Sequence, residues 1–218
     1  MMEKISIYHF TKKENVNSIL SIGLKHGTKF NTLGSQLRIG ANYFWLSPMH
    51  DLMGYKDFEC LEISIEENLC IVGNMDIISS AFFNYMMVKQ GNSLHDYTEL
   101  VKLFDSTAVA YHSYQNGYFR TPEIIVQKDI TPENIKVIKS SEVIGKFSNN
   151  RKLYNENIKS KLLTMTNNKL HDINSMISYL EKNEVIKKVA LHDDSSGLLH
   201  SYIIKDTNEF FTIELNVY

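Results

Sequence analysis

At 218 residues, 43% hydrophobic and 22% charged, the chain can bury a good core in one domain, or in one domain with an appendage, and its composition excludes a disordered protein. A formal charge of −2 excludes wrapping duplex nucleic acid by bulk charge, while a local basic face stays compatible with it. The two cysteines, Cys60 and Cys70, cannot make a disulfide framework or a Cys-based zinc site. With no apolar signal-peptide core and no run of membrane-spanning length, free thiols and a cytoplasmic location are expected.

Ile5 and Ile7 alternate with polar neighbours, so a first β-strand is expected to end near His9. A helix is expected to follow at once. Thr11 with Glu14 three residues on is a capping-box pattern, Val16, Ile19 and Leu20 form an apolar face, and Gly23 is placed to end the helix. His9 and Thr11 then stand beside helix N-terminal amides, a setting suited to an anion or a ribose-phosphate, although capping alone equally accounts for Thr11. Lys25 to Arg38, with Gly27 and Gly34, reads as a loop, and covering a ligand is one reason for a loop that long. Arg38 is the only arginine in the first hundred residues.

An aromatic strand from Ala41 to Leu46 closes at Ser47-Pro48. A short helix is expected over His50 to Tyr55, and strands over Cys60 to Ile65 and Leu69 to Val72. Asp76 to Gln90, carrying Ile77, Phe82, Phe83, Tyr85, Met86 and Met87, reads as a mostly buried helix, and Leu94 to Phe104 as a second. Thr107 to Tyr111 reads as a strand, His112 to Thr121 as a loop, Glu123 to Gln127 as a strand, and Lys136 to Lys139 as a last short strand after a turn at Thr131 to Ile135. Beyond Ser140, Arg151 to Leu163 and Leu170 to Leu180 read as amphipathic helices. Val185 to Leu191, Leu198 to Lys205 and Phe210 to Val217 read as the strands of a β-meander.

Two further segments carry chemistry. Phe44 and Tyr55 have ten residues between them, with Tyr43 beside the first; rings delivered from a strand and the next helix either close on a flat heteroaromatic ring or belong to the core. Pro122 disfavours helix at Thr121, so the chain enters the next strand already extended, with Glu123 at its mouth. A carboxylate there either stabilises positive charge on a substrate or is a solvated edge residue.

In order and spacing these elements resemble the ADP-ribosyltransferase superfamily in its histidine–tyrosine–glutamate branch. The opening Tyr8-His9-Phe10-Thr11, with the Ile-Leu-x-x-Gly-Leu run ending at Leu24, is also similar to bacterial DarT-type toxins and, more distantly, to RNA 2′-phosphotransferases. The resemblance covers residues 1 to 140 and implies an α+β fold with a split β-sheet core and flanking helices. It implies an NAD-dependent mono-ADP-ribosyltransferase, a glycosyltransferase whose acceptor is DNA, RNA or protein. A toxin or phage-defence setting, with a cognate antitoxin or partner protein, goes with that family.

By the same resemblance, His9, Phe10 and Thr11 hold the adenosine-side ribose and neighbouring parts of NAD. Phe44 or Tyr43, with Tyr55, encloses the nicotinamide; Phe44 lacks the hydroxyl of the family's usual tyrosine. Glu123 and Arg38 take the catalytic roles, and Tyr118, Phe119 and Arg120 lie in the loop that chooses the acceptor.

The expected organisation is therefore a catalytic domain over residues 1–140 and, over 141–218, a helical connector and meander that binds a partner or acceptor. Two other classes compete. His-Asp pairs begin at His50, His95, His171 and His192, as in metal phosphohydrolases, but those enzymes need ligands converging in a helical bundle, so no metal is expected here. An inactive transferase-like binding module is the non-enzymatic alternative.

Overall fold

The computed structural model describes residues 3–27, 33–48, 57–138, 148–194 and 197–214. The fold is mixed α+β, built on a large antiparallel sheet. The chain divides into two units. One takes the described residues up to Asn74 together with Asp105–Gln115 and Thr121–Asn149; the other takes Met75–Phe104, Asn116–Arg120 and everything from Asn150 on. This interleaving departs from a linear division at residue 140.

In the first unit, β1 (Lys4–Lys12), β2 (Asn42–Trp45), β3 (Phe58–Glu66), β4 (Ile71–Asn74), β5 (Val109–Ala110), β6 (Pro122–Val126) and β7 (Ile135–Ile138) form one sheet in the order β5-β4-β6-β2-β1-β3-β7. All neighbours are antiparallel. β1 and β3 pair continuously from Lys4↔Glu66 to Lys12↔Phe58, whereas among the described residues β1 meets β2 only at Tyr8↔Trp45. The sheet is thus two ladders, β5-β4-β6-β2 and β1-β3-β7, joined at a single pair. Ile124, Ile125 and Val126 of β6 are all buried, as the unbroken apolar run of a strand covered on both faces requires.

The opening of the chain differs from its sequence reading. Pairing with β3 carries β1 three residues past His9, so Thr11 is a buried strand residue opposite Glu59 rather than a helix cap. Helix α1 (Lys13–Ile22) begins after Lys12, which makes no side-chain cap bond, and none of its residues is fully buried. Gly23 ends the helix as expected. Its φ is 79°, its N–H donates to the Ile19 carbonyl at 2.8 Å, and an added Cβ would lie 2.1 Å from the Ile130 carbonyl oxygen. That close approach is what lets Leu24 exchange two backbone hydrogen bonds with Ile130. The helix expected over His50 to Tyr55 lies outside the described residues.

In the second unit, helix α2 (Met75–Val88) packs on strand β8 (Ile186–Asp194), which pairs with β9 (Gly197–Ile204), and β9 with β10 (Glu209–Glu214), giving the expected meander. Helices α4 (Ser148–Met165) and α5 (Ile173–Lys182) cover it through Leu162, Met176, Ile177 and Leu180, against Tyr202 and Phe211. Helix α3 (Tyr97–Thr107) begins in this unit, and its residues from Asp105 on belong to the first.

α2 is buried along one face as expected, through Ile77, Ile78 and Ala81, but Phe82 and Met86 are exposed and the buried residues include the polar Asp76, Ser80 and Asn84. The reason lies in the bonds these polar groups make. Asn84 Nδ2 donates to the Val189 carbonyl at the irregularity in β8 while its Oδ1 accepts from Ser93 Oγ, Leu94 N and His95 N, and Ser80 Oγ donates to Ser201 Oγ. Among the described residues no helix is long and apolar enough to cross a membrane.

Candidate active site

Glu123 is the second residue of β6, between Trp45 of β2 and Gly73 of β4 in register. It is 4% exposed. Arg38, 3% exposed, comes from the loop before β2, and its Nη1 donates to Glu123 Oε2. The guanidinium lies 4.1 Å from the centre of the Tyr43 ring, and the Tyr43 hydroxyl donates back to the Arg38 carbonyl. Arginine, carboxylate and phenol therefore form one closed cluster, with the cation held both by charge and by the ring face.

Burial pushes the Glu123 carboxyl up to about 7, against the opposing pull of Arg38. Desolvation outweighs attraction here because almost no solvent reaches the pair. Burial also raises the Tyr43 hydroxyl.

His9 and Phe44 form a second group. Their rings meet edge to face at 5.8 Å, and His9 Nδ1 lies 3.3 Å from the Tyr43 carbonyl. A carbonyl only accepts, so Nδ1 carries the proton and Nε2 is left as an acceptor. Burial lowers the His9 pKa, which keeps the ring neutral at neutral pH.

Alternation along β2 sends Tyr43 and Trp45 to the Glu123 face and Phe44 to the other, where His9 stands. His9 and Glu123 are not side by side. Tyr43 links them, with its ring on Arg38 and its carbonyl on His9, beside the place where β1 and β2 part.

The remaining expected residues fall elsewhere. Phe44, at 1% exposure, is core, and half-buried Tyr43 is the ring with an open surface. Phe10 packs with Tyr8, Cys60, Ile138 and Trp45. Tyr55 lies outside the described residues. Tyr118, Phe119 and Arg120 belong to the second unit, where only Tyr118 is exposed. Arg120, which the resemblance puts in the acceptor-choosing loop, is buried against Asp76 at 3.4 Å, and that loop is pinned to α4: Asn150 Nδ2 donates to the Phe119 and Arg120 carbonyls, and its Oδ1 accepts from Gly117 N.

No family model, curated protein or solved structure matches this chain.

Two of the four His-Asp pairs have a local explanation. Asp172 caps α5 by accepting from Ser175 N, and Asp96 accepts from both the backbone and the hydroxyl of Thr98 at the start of α3. Cys60 and Cys70 are buried free thiols pushed up to about 12, too high for nucleophilic work at neutral pH.

Sequence reasoning missed two residues around Arg38. Ser35 Oγ accepts from Arg38 N at 3.2 Å and donates to Asp105 Oδ1 at 2.5 Å. A carboxylate in the last turn of a helix, where the dipole disfavours negative charge, was the available signal for Asp105.

Proposed function

We propose that the chain is an NAD-dependent mono-ADP-ribosyltransferase that moves ADP-ribose to a macromolecular acceptor. The observation that carries this reading is the buried Arg38–Glu123 pair against Tyr43, set beside the parting of β1 and β2. The single junction between the two ladders supports the finer description of the fold as a split sheet of the ADP-ribosyltransferase kind.

In the proposed reaction the nicotinamide–ribose bond breaks with its electron pair going to nicotinamide, and an acceptor nucleophile forms the new bond to the anomeric carbon and gives up its proton. The ionised Glu123 stabilises the positive charge that builds on the ribose. A carboxyl poised near 7 also suits it to receive the acceptor's proton at neutral pH. In the reaction Arg38 stays on Glu123 Oε2 through Nη1 and helps keep the carboxyl ionised, while a ribose hydroxyl donates to the other carboxylate oxygen. Tyr43 offers its ring to the nicotinamide. His9, on the other face of the sheet from Glu123, acts only through its bond to the Tyr43 carbonyl.

Incubating the full chain with NAD labelled in its adenylate phosphate, together with DNA, RNA and protein acceptors, tests the reading. Label is expected on one acceptor class, and Glu123→Gln is expected to lower transfer by about 10²–10³-fold with the fold retained. No transfer and no NAD hydrolysis by the wild type would favour the second reading, an inactive transferase-like binding module, for which the near-complete closure of Glu123 already speaks.

A further inference from the structure

We infer that Asp105 is a positioning residue for the transfer proposed above, a role that rests on that reading: it tethers residues 35–37 so that the Arg38 guanidinium is delivered to Glu123. Its carboxylate takes three donors from consecutive residues of the loop. Oδ1 accepts from Ser35 Oγ at 2.5 Å and from Leu37 N at 3.5 Å, and Oδ2 accepts from Gln36 N at 2.9 Å. Ser35 Oγ in turn accepts from Arg38 N at 3.2 Å, so the tether ends on the backbone of the arginine itself.

Asp105 stands where an anion is least welcome on electrostatic grounds, in the last turn of α3, which holds no basic residue. Three donors offset that cost. The loop is further held by Gln127 Nε2 on the Leu37 carbonyl and is closed at its base by Gly27 N on the Gly40 carbonyl. These are weaker, neutral bonds, and the charged tether is the one adjoining Arg38.

The arrangement ties Arg38 geometry to Glu123 chemistry. Loss of the tether lets the guanidinium drift from a carboxylate it otherwise holds down, so the Glu123 midpoint rises and less of it is ionised at neutral pH.

The test compares Asp105→Ala, Asp105→Asn and Ser35→Ala with the wild-type full chain, using NAD-cleavage kinetics and a ¹³C NMR titration of the Glu123 carboxyl, whose signal is assigned by its loss in Glu123→Gln. Asp105→Ala is expected to lower kcat about ten- to a hundredfold and to move the Glu123 midpoint up by about one pH unit. Asp105→Asn, which keeps one acceptor oxygen, is expected to fall between it and the wild type. In an Arg38→Ala background Asp105→Ala is expected to add no further loss of kcat. An unchanged Glu123 midpoint with kcat within about twofold of wild type overturns the assignment, as does a full extra loss in the Arg38→Ala background. Should Asp105→Ala fail to fold, Ser35→Ala decides by the same titration. Should the wild type leave NAD intact, the transferase reading falls, and the titration alone judges whether Asp105 governs the pair.

Discussion

At the scale of single residues, Glu123 sets the behaviour of the site. Its carboxyl is raised from 4.5 to about 7 by burial, and the proposed transfer uses it ionised, so on that proposal NAD cleavage is expected to climb as pH rises through about 7 and to level off above it. The stability consequence has the opposite sign. A raised folded pKa means the folded chain holds its proton while the unfolded chain loses it, so the contribution from Glu123 is fully present below pH 4.5 and is lost as pH approaches 7, by roughly 3 kcal/mol. Denaturant titrations at pH 4.5 and 7.5 should show this fall in the wild type and lose it in Glu123→Gln; equal falls in both would assign the effect to other groups. Glu123 and Arg38 stand out in the sequence, one after a proline at a strand mouth and the other as the first arginine of the chain, and the structure pairs them, while their catalytic roles come from the resemblance alone. Between the two readings open for Phe44 the structure favours the core, a choice that strand alternation leaves undecided because it does not say which face is covered. Asp105 was overlooked because its partners lie some seventy residues away.

At the scale of elements, the strands and helices read well where periodicity alone decides them, as in β3 and the meander, and poorly where a tertiary partner decides. β1 outran its expected end because β3 kept pairing with it, and the polar face of α2 is buried because Asn84 and Ser80 serve β8 and β9. The edge strand β10 shows the same logic. Tyr154 of α4 places its hydroxyl where another strand would lie, accepting from Thr212 N at 2.9 Å and donating to the Thr212 carbonyl at 3.2 Å. This closes one position of an edge that would otherwise offer a donor and an acceptor to another chain. Tyr154→Phe keeps the ring and strands both buried groups, so it is expected to cost about 2–3 kcal/mol, read as a lower urea midpoint at unchanged slope. A cost under about 0.5 kcal/mol would show that Thr212 finds replacement partners.

At the scale of the whole molecule, the path of the chain matters more than its linear order. A resemblance ending near residue 140 suggests that the N-terminal part is a self-sufficient catalytic domain. Residues 75–104, however, belong with the C-terminal unit, where Ser80 bonds Ser201, Asn84 bonds the Val189 carbonyl, and α2 packs on β8. A fragment of residues 1–140 retains every strand of the large sheet, together with the Arg38–Glu123 pair, yet it leaves α2 without the strands its polar face is built to satisfy. Buried polar groups stranded in this way cost about 1–3 kcal/mol each. Against a typical net stability of about 5–15 kcal/mol, those losses are decisive. The fragment is therefore expected to bind hydrophobic dyes and to lack a cooperative thermal transition, while the full chain melts cooperatively. A fragment that melts sharply and cleaves NAD at the full-chain rate would show instead that residues 141–218 are a dispensable attachment and that α2 can satisfy its polar face in water.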